Sequence, residues 1–229
     1  MQMFDLAPDD YTAIFLSLKV GMTATLLSLP FGFLAAYALV FLRFPGKLIL
    51  EVAVNLPLTM PPVVVGYFLL VVLGKNGIIG SVLDEAGIPV VFTWKAAAIA
   101  AAVVGFPLLV RAIRISMEGI DPHLVHASRT LGAHWYDTLL TIIVPLSIRG
   151  ILAGSSLLFA RSLGEFGATI IVAGNIPGVT RTIPLAIYDY ASSPGGEKAA
   201  LALCTFAVLI SLFVLLLHEY LRKKNGRNV

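Results

Sequence analysis

The stretch AALALCTFAVLISLFVLLL, residues 199–217, contains no charged side chain and decides the fold class. A transmembrane helix needs about 20 apolar residues to cross a hydrocarbon core about 30 Å thick, and this stretch meets that requirement. Its apolar residues follow one another without the alternation that marks a membrane β-strand. The stretch therefore predicts a helix that spans a lipid bilayer.

Four more apolar blocks precede it and predict four more spans, over residues 12–42, 48–73, 95–110 and 138–163. A weaker stretch, residues 167–190, is cut by Gly174, Pro177, Gly178 and Pro184, which predicts a short re-entrant or broken helix. We therefore expect an all-α, polytopic membrane protein with about five transmembrane helices, forming one transmembrane domain over residues 1–229.

The composition of the whole chain agrees with a membrane location. Of the 229 residues, 58% are apolar and 13% are charged, and the mean hydropathy is +0.92. A soluble domain of this size carries about twice that share of charged residues. The net charge of +3 comes without a compact basic patch, so the sequence predicts no nucleic-acid partner.

The distribution of lysine and arginine predicts the orientation, because cytoplasmic loops retain positive charge. Five spans put ten basic residues on one side: Arg43, Lys47, Arg111, Arg114, Arg129, Arg149, Arg222, Lys223, Lys224 and Arg227. They put five on the other: Lys19, Lys75, Lys95, Arg181 and Lys198. We expect the N-terminus outside, and the C-terminus and the loop of residues 111–137 in the cytoplasm.

That loop contains a short amphipathic segment between Asp121-Pro122 and Gly132. Proline is favoured at the first position of a helix and glycine just after its end. Apolar or small residues recur at spacings of three and four: Leu124, Val125, Ala127, Ser128 and Leu131. The pattern predicts a short helix with one apolar face outside the membrane. From the pattern alone, this helix either lies on the membrane surface or fills a groove on a partner protein.

In its spacing the segment resembles the cytoplasmic signature of bacterial ABC importer permeases, Glu-Ala-Ala, three residues, Gly, nine residues, Ile, one residue, Leu-Pro. The matching residues here are His126-Ala127-Ser128, Gly132, Ile142 and Val144-Pro145. Three of them, His126, Ser128 and Val144, depart from the residue types of the signature. The resemblance implies that His126, Ala127, Ser128, Gly132 and Pro145 belong to a coupling helix and its continuation, which contact an ATPase subunit.

Further strings resemble those of molybdate permeases and extend the similarity over essentially the whole chain. They are LPLTMPPVVVGY (residues 56–67), RSLGEFGAT (161–169), NIPG (175–178) and RTIP (181–184). The second string is also similar to that of sulfate permeases, and tungstate permeases are a close group. The resemblance implies an oxyanion as substrate, with molybdate expected and tungstate or sulfate as alternatives.

Two sets of residues are candidates for the translocation path or its gate. Pro57, Pro61 and Pro62 fall within a predicted span, where prolines remove amide donors and kink a helix. Arg161 and Glu165 are four residues apart, on one predicted helical face in an apolar region where unpaired charges are costly, so we expect an ion pair or a cavity lining. In each set, a purely structural kink or clamp is the alternative to a direct role in transport.

The resemblance also implies the partners. Gly74-Lys75-Asn76 lacks the spacing and the hydroxyl of a phosphate-binding loop, so ATP and Mg²⁺ are expected on a separate ATPase and no cofactor in this chain. The family implies a homodimer, a cytoplasmic ABC ATPase dimer and an extracytoplasmic oxyanion-binding protein. Their location is a bacterial or archaeal cell (inner) membrane, in contact with lipid.

Two other classes of membrane protein fit the same residues less well. A secondary transporter or channel usually contains ionisable relay groups or an internal repeat, and neither is evident. An intramembrane enzyme needs a convergent nucleophile and base, whereas the four histidines fall at predicted cytoplasmic positions: His123, His126, His134 and His218. We therefore expect a transport subunit that is not itself an enzyme.

Overall fold

The computed structural model describes residues 7–226 of the chain, and the side chains of residues 7–216. The described backbone forms eleven α-helices and one π-helical turn. They are α1 (Pro8–Phe41), α2 (Lys47–Thr59), α3 (Pro62–Leu73), α4 (Ile78–Glu85), α5 (Trp94–Glu118), α6 (Pro122–Thr130), α7 (Trp135–Thr138), the π turn (Leu139–Ile143), α8 (Val144–Leu163), α9 (Gly167–Val172), α10 (Ile183–Ala191) and α11 (Glu197–Gly226). The predicted all-α fold is confirmed for the described residues.

Within the described part of the chain, four helical segments are long and apolar enough to cross a membrane: α1, α5, the continuous unit Trp135–Leu163, and α11 up to Leu216. The predicted second span, residues 48–73, is instead two helices, α2 and α3, bent by 116° at a short break. The candidate spans number five if this bent pair counts as one. The third span is longer than predicted, because α5 continues to Glu118 and carries Arg111 and Arg114 on its last turns.

Consecutive prolines cause the break between α2 and α3. A residue that precedes proline is pushed towards extended backbone angles, and both residues in this situation are extended: Met60 (φ −85°, ψ 146°) and Pro61 (φ −56°, ψ 133°). Pro62 then begins α3, where its missing amide costs no hydrogen bond because the first amides of a helix have no partner within the helix. Pro57 lies inside α2 without ending it.

Small residues form the core where α1, α5 and α8 meet. Gly150 and Gly154 of α8 are one helical turn apart and both lie against α5. A β-carbon on Gly154 would approach the Leu109 carbonyl oxygen to 2.9 Å. With no hydrophobic effect to drive association inside a bilayer, such close backbone packing is a main source of helix–helix stability.

The helix directions define two ends of the molecule. Lys19 of α1 contacts Trp94 at the start of α5, and Gly32 of α1 lies beside Leu109 further along α5, so α1 and α5 run parallel. The helices α2 and α8 run antiparallel to α5. We call the end that contains Lys19 and Trp94 the N-terminal side, and the opposite end the α6 side. From Lys19 to Phe41, α1 rises about 33 Å, close to the thickness of the hydrocarbon core.

The predicted broken stretch, residues 167–190, is confirmed as two short helices, α9 and α10, joined by a loop. The loop is ordered by Thr180, whose buried hydroxyl accepts a hydrogen bond from the Ile176 amide at 3.0 Å. On the N-terminal side, α10 is joined to α1, since the Tyr190 hydroxyl donates to Asp10 at 3.0 Å. The pKa of the Tyr190 hydroxyl is raised, mainly because the group is partly buried and also because it donates this hydrogen bond to Asp10.

Candidate coupling segment and translocation path

The predicted amphipathic helix is α6, and both of its ends have the expected capping groups. At its start, the Asp121 carboxylate accepts a hydrogen bond from the His123 amide at 2.9 Å, which satisfies one free donor of the first turn. At its end, Gly132 has a positive φ of 86°, a backbone conformation that favours glycine. The Ala133 amide donates to the Ser128 carbonyl at 3.1 Å, and the Gly132 amide to that of Arg129. These two bonds define a Schellman ending, which stops the helix at this glycine.

The apolar and small residues of α6 share one side of the helix, as the spacing predicts, but the chain itself covers only part of that side. Val125 is buried and Ser128 is half-buried, so the inward part packs against the rest of the chain. Leu124 is 47% exposed and Leu131 is 87% exposed. His126 and Ala127 are exposed as well. The inward face holds α6 in place, and the outward face is free for another molecule.

A side-chain contact joins α6 to the next transmembrane unit. The Ser128 and Thr138 hydroxyl oxygens lie 2.8 Å apart, and Thr138 is buried. Thr138 ends α7, which continues through the π turn into α8. Pro145, the second residue of α8, lacks an amide donor, and the wider π turn before it accommodates the proline ring. The five predicted coupling residues thus lie on α6, at its end, and on the helix that follows.

The two helix breaks of the candidate path, before α3 and before α9, are in contact, which the sequence did not predict. The break before α3 lies against the break before α9: a β-carbon on Gly167 would be 3.0 Å from Pro62. One turn further, a β-carbon on Gly66 would lie 2.7 Å from the Ala168 carbonyl oxygen. The absence of side chains at these two glycines therefore allows α3 and α9 to pack backbone to backbone.

Arg161 and Glu165 form the predicted pair, with 2.9 Å between Arg161 Nη2 and Glu165 Oε2. The prediction that they share one helical face is wrong, because α8 ends at Leu163 and Glu165 belongs to the turn before α9. The Glu165 side chain is 2% exposed and that of Arg161 is 32% exposed. Glu165 also accepts a hydrogen bond from the Ala168 amide at 2.9 Å. The pair thereby fixes the start of α9.

A third polar group, on the α6 side, was missed by the sequence analysis. Arg114 of α5 pairs with Glu51 of α2 at 2.5 Å and with Glu118 one turn along α5 at 2.7 Å. These residues line a cavity of about 330 Å³ together with Asn55 and Arg111. The spacing of Arg114 and Glu118 was a readable signal, but the pairing with Glu51 joins residues far apart in the chain.

The structure separates the predicted residues into two groups. Pro61, Pro62, Arg161 and Glu165 gather around α3 and α9, while His126, Ala127, Ser128 and Gly132 lie at the α6 side. Pro57 lines an apolar cavity between α2 and α5 instead. Among the residues that the structure describes, no three histidine, cysteine, aspartate or glutamate side chains lie together in a group able to share a metal ion.

Residues 28–227 match the family described as "Binding-protein-dependent transport system inner membrane component". The chain belongs to this family, and it is a multi-pass transport subunit of the inner membrane.

Among its curated relatives is the "Molybdenum transport system permease protein ModB" of Escherichia coli (strain K12), 50% identical over 97% of this chain and 99% of the relative. The protein of the same name from Haemophilus influenzae is 49% identical over 94% of each chain. The "Sulfate transport system permease protein CysW" of Synechococcus elongatus is 35% identical over 94% of this chain and 75% of the relative.

A solved bacterial ABC transporter "involved in the import of the acidic polysaccharide alginate" has a similar fold. The TM-score is 0.72 at 16% identity, over 95% of this chain and 80% of that one. An identity this low supports the fold alone.

Proposed function

We propose that this chain is the permease subunit of an ABC importer and forms the translocation path for molybdate. The observation that carries the proposal is the 50% identity to a molybdenum permease over nearly the full length of both chains. Identity to the sulfate permease is lower, 35%. Tungstate and sulfate remain the alternative substrates, and an ATP-independent transporter or channel is the alternative mechanism.

In this proposal a separate ABC ATPase dimer, which binds ATP and Mg²⁺, docks on α6. Support comes from the two faces of the helix: Val125 and Ser128 hold it to the chain, whereas His126, Ala127 and Leu131 are exposed. A short, capped helix with a free face has the shape for a helix-in-groove contact. Closure of the ATPases would move α6, and the contact between Ser128 and Thr138 would transmit that motion to α8.

Two copies of the chain would enclose the path, with an extracytoplasmic oxyanion-binding protein above it. The exposed apolar side chains of α3, among them Val63, Tyr67 and Phe68, support a contact with a second copy or with lipid. The packing of α3 on α9 supports a gate built from the two broken segments. Arg161 would attract the anion for a short time, while Glu165 holds the arginine in position.

We further propose that the N-terminus is outside and the C-terminus is cytoplasmic. The basic residues support this orientation, although Arg227 and the side chains of Arg222, Lys223 and Lys224 lie outside the described part of the chain. A reporter fused after Gly119 or Arg227 should be cytoplasmic, and one fused after Gly80 or Ser193 extracytoplasmic. A cytoplasmic reporter at Gly80 would contradict the five-span arrangement.

The function is tested by uptake of radiolabelled molybdate into vesicles that contain this chain, its ATPase and the binding protein. We expect uptake that requires ATP and all three proteins, and that excess unlabelled molybdate competes better than sulfate. Equal competition by tungstate would extend the substrate class, and stronger competition by sulfate would reassign it. Uptake without ATP or without the ATPase would contradict the importer mechanism.

A further inference from the structure

Lys19 is a charged residue on the membrane-spanning helix α1, and no role in transport accounts for it. Its ammonium lies 3.8 Å from the centroid of the Trp94 ring, a cation–π contact. Among the described residues it forms no ion pair. An ammonium has three donors and no acceptor, so the ring leaves its hydrogen-bonding capacity largely unused.

A cavity of about 460 Å³ opens beside this pair. Its walls are aromatic and apolar, with Tyr11 and Phe15 from α1 and Val179 from the loop before α10. Lys19 is the one charged side chain among the described residues that line it. The cavity therefore combines an apolar wall with a single positive charge, which is complementary to an amphiphile with a negative head.

The surface of α1 continues from this cavity along the membrane as an apolar stripe. Met22 and Leu26 follow Lys19 at helical spacing on the same face, and they are 52% and 60% exposed. The stripe runs from Lys19 towards the α6 side, which is the direction of the bilayer interior. An acyl chain that lies on it would leave its head group beside the ammonium.

The level of Lys19 along the membrane normal fits the head-group region. The part of α1 from Lys19 to Phe41 covers about 33 Å, and the hydrocarbon core is about 30 Å thick. Tryptophan and tyrosine are enriched at this boundary, and lysines near it extend towards the head groups. Trp94 and Tyr11 therefore lie where a belt of aromatic side chains is expected.

We propose that Lys19 and Trp94 form a binding site for a phospholipid phosphate on the N-terminal side of the membrane. The ammonium donates to a phosphate oxygen, Trp94 holds the lysine in place, and one acyl chain lies along Met22 and Leu26. A free oxyanion would use only the charge and leave the apolar stripe uncovered. A second copy of the chain is the other molecule able to cover this face.

The site is tested by native mass spectrometry of the purified full-length chain after delipidation and titration with dioleoylphosphatidylglycerol. Lys19→Met keeps the apolar stem and removes the charge. A lysine near anionic lipid contributes about 1 kcal/mol, which corresponds to roughly fivefold in apparent affinity, so we expect a fivefold loss. Lys19→Arg should retain binding. Lys75→Met, which removes an exposed lysine from the loop between α3 and α4, should bind like the wild type.

Dioleoylglycerol has the same acyl chains without the phosphate, and it should bind the wild type and Lys19→Met equally. If Lys19→Met weakened dioleoylglycerol binding to the same extent, the variant would have disturbed the apolar cavity and stripe. That result would overturn the assignment to the phosphate. So would unchanged phosphatidylglycerol binding by Lys19→Met. Displacement of the lipid by inorganic phosphate would assign a free-anion site instead. Lipid bound to the monomer but excluded from the dimer would assign the face to a second copy.

Discussion

The hydroxyl oxygens of Ser128 and Thr138 lie 2.8 Å apart and connect the exposed helix α6 to the unit that continues into α8. Thr138 is buried, whereas Ser128 lies on the inward face of a helix whose other face is free. A motion imposed on the free face of α6 would reach α8 through this contact.

The first prediction concerns this contact, removed from both sides by Ser128→Ala and Thr138→Val. A hydrogen bond of this kind contributes about 1 kcal/mol to stability, and residues that share one contact show non-additive effects. We expect a double-mutant cycle on thermal unfolding to show a coupling of about 1 kcal/mol, together with reduced ATP-driven uptake. Thr130→Val, which removes a hydroxyl bonded only within α6, should leave uptake unchanged. Additive single effects would contradict the prediction.

The second prediction concerns Gly132, whose φ of 86° ends α6. No atom lies within 4 Å of a β-carbon placed there, so Gly132→Val introduces backbone strain of about 1–2 kcal/mol without a clash. The strain should redirect the end of α6 and lower the amount of ATPase that co-purifies. Membrane insertion should be unaffected.

Gly87 offers a matched control for this variant. It has φ 71°, equally open surroundings, and a place in the loop after α4. Gly87→Val should carry similar strain and retain full ATPase binding. Full retention of both the ATPase and uptake by Gly132→Val would end the coupling assignment and favour a helix that only lies on the membrane surface.

The third prediction concerns the break at Pro61 and Pro62. Replacing both by alanine restores two amide donors and removes the bias towards extended backbone at Met60. Spin labels at the exposed Val52 and Val71 should move apart towards about 28 Å, the separation in a straight helix. Uptake should fall because α3 leaves α9, while the subunits still assemble. Pro30→Ala, in a helix that proline does not break, is the control, and unchanged uptake in the double variant would leave the prolines a purely structural role.

The fourth prediction concerns Arg114, which joins α5 to Glu51 of α2. Both side chains are about one-third exposed, so solvent screening limits the pair to about 0.5–1 kcal/mol. Glu51→Arg should lower thermal stability by more than this amount, because it places two cations together. The charge swap Glu51→Arg with Arg114→Glu should restore most of the loss. Glu118→Gln removes only the pair within α5. A loss of thermal stability as large as that of Glu51→Arg would contradict a role for Arg114 in holding α2 against α5.

The fifth prediction separates two roles for Arg161. Arg161→Met leaves the buried Glu165 carboxylate without its cation, with only the Ala168 amide as a partner, which should cost about 3 kcal/mol of stability. Replacing both residues by methionine should recover part of that loss. Arg161→Lys keeps the charge and should keep most of the stability. If that variant transports with wild-type apparent affinity for the oxyanion, the pair is a structural clamp; a weaker apparent affinity at unchanged stability supports contact with the anion.

The apolar blocks, the helix breaks and the capped helix α6 could all be predicted from the chain, because each depends on residues close in sequence. Uninterrupted hydrophobicity requires a helix in lipid, and Asp121-Pro122 and Gly132 have preferences that act within one turn. The bend after Met60 follows from two adjacent prolines. Its size, 116°, does not, since the direction of α3 is decided by packing on α9.

Contacts between distant segments were decided only by the tertiary structure. Pro62 meets Gly167, Glu51 meets Arg114, and Lys19 meets Trp94, and no local pattern selects these partners. The burial of α6 has the same origin: the spacing shows which residues share a face, but the neighbouring elements decide that Val125 is buried and Leu124 is exposed. Local preferences therefore account for where the helices begin and end, and close packing of small residues in the bilayer decides which of them touch.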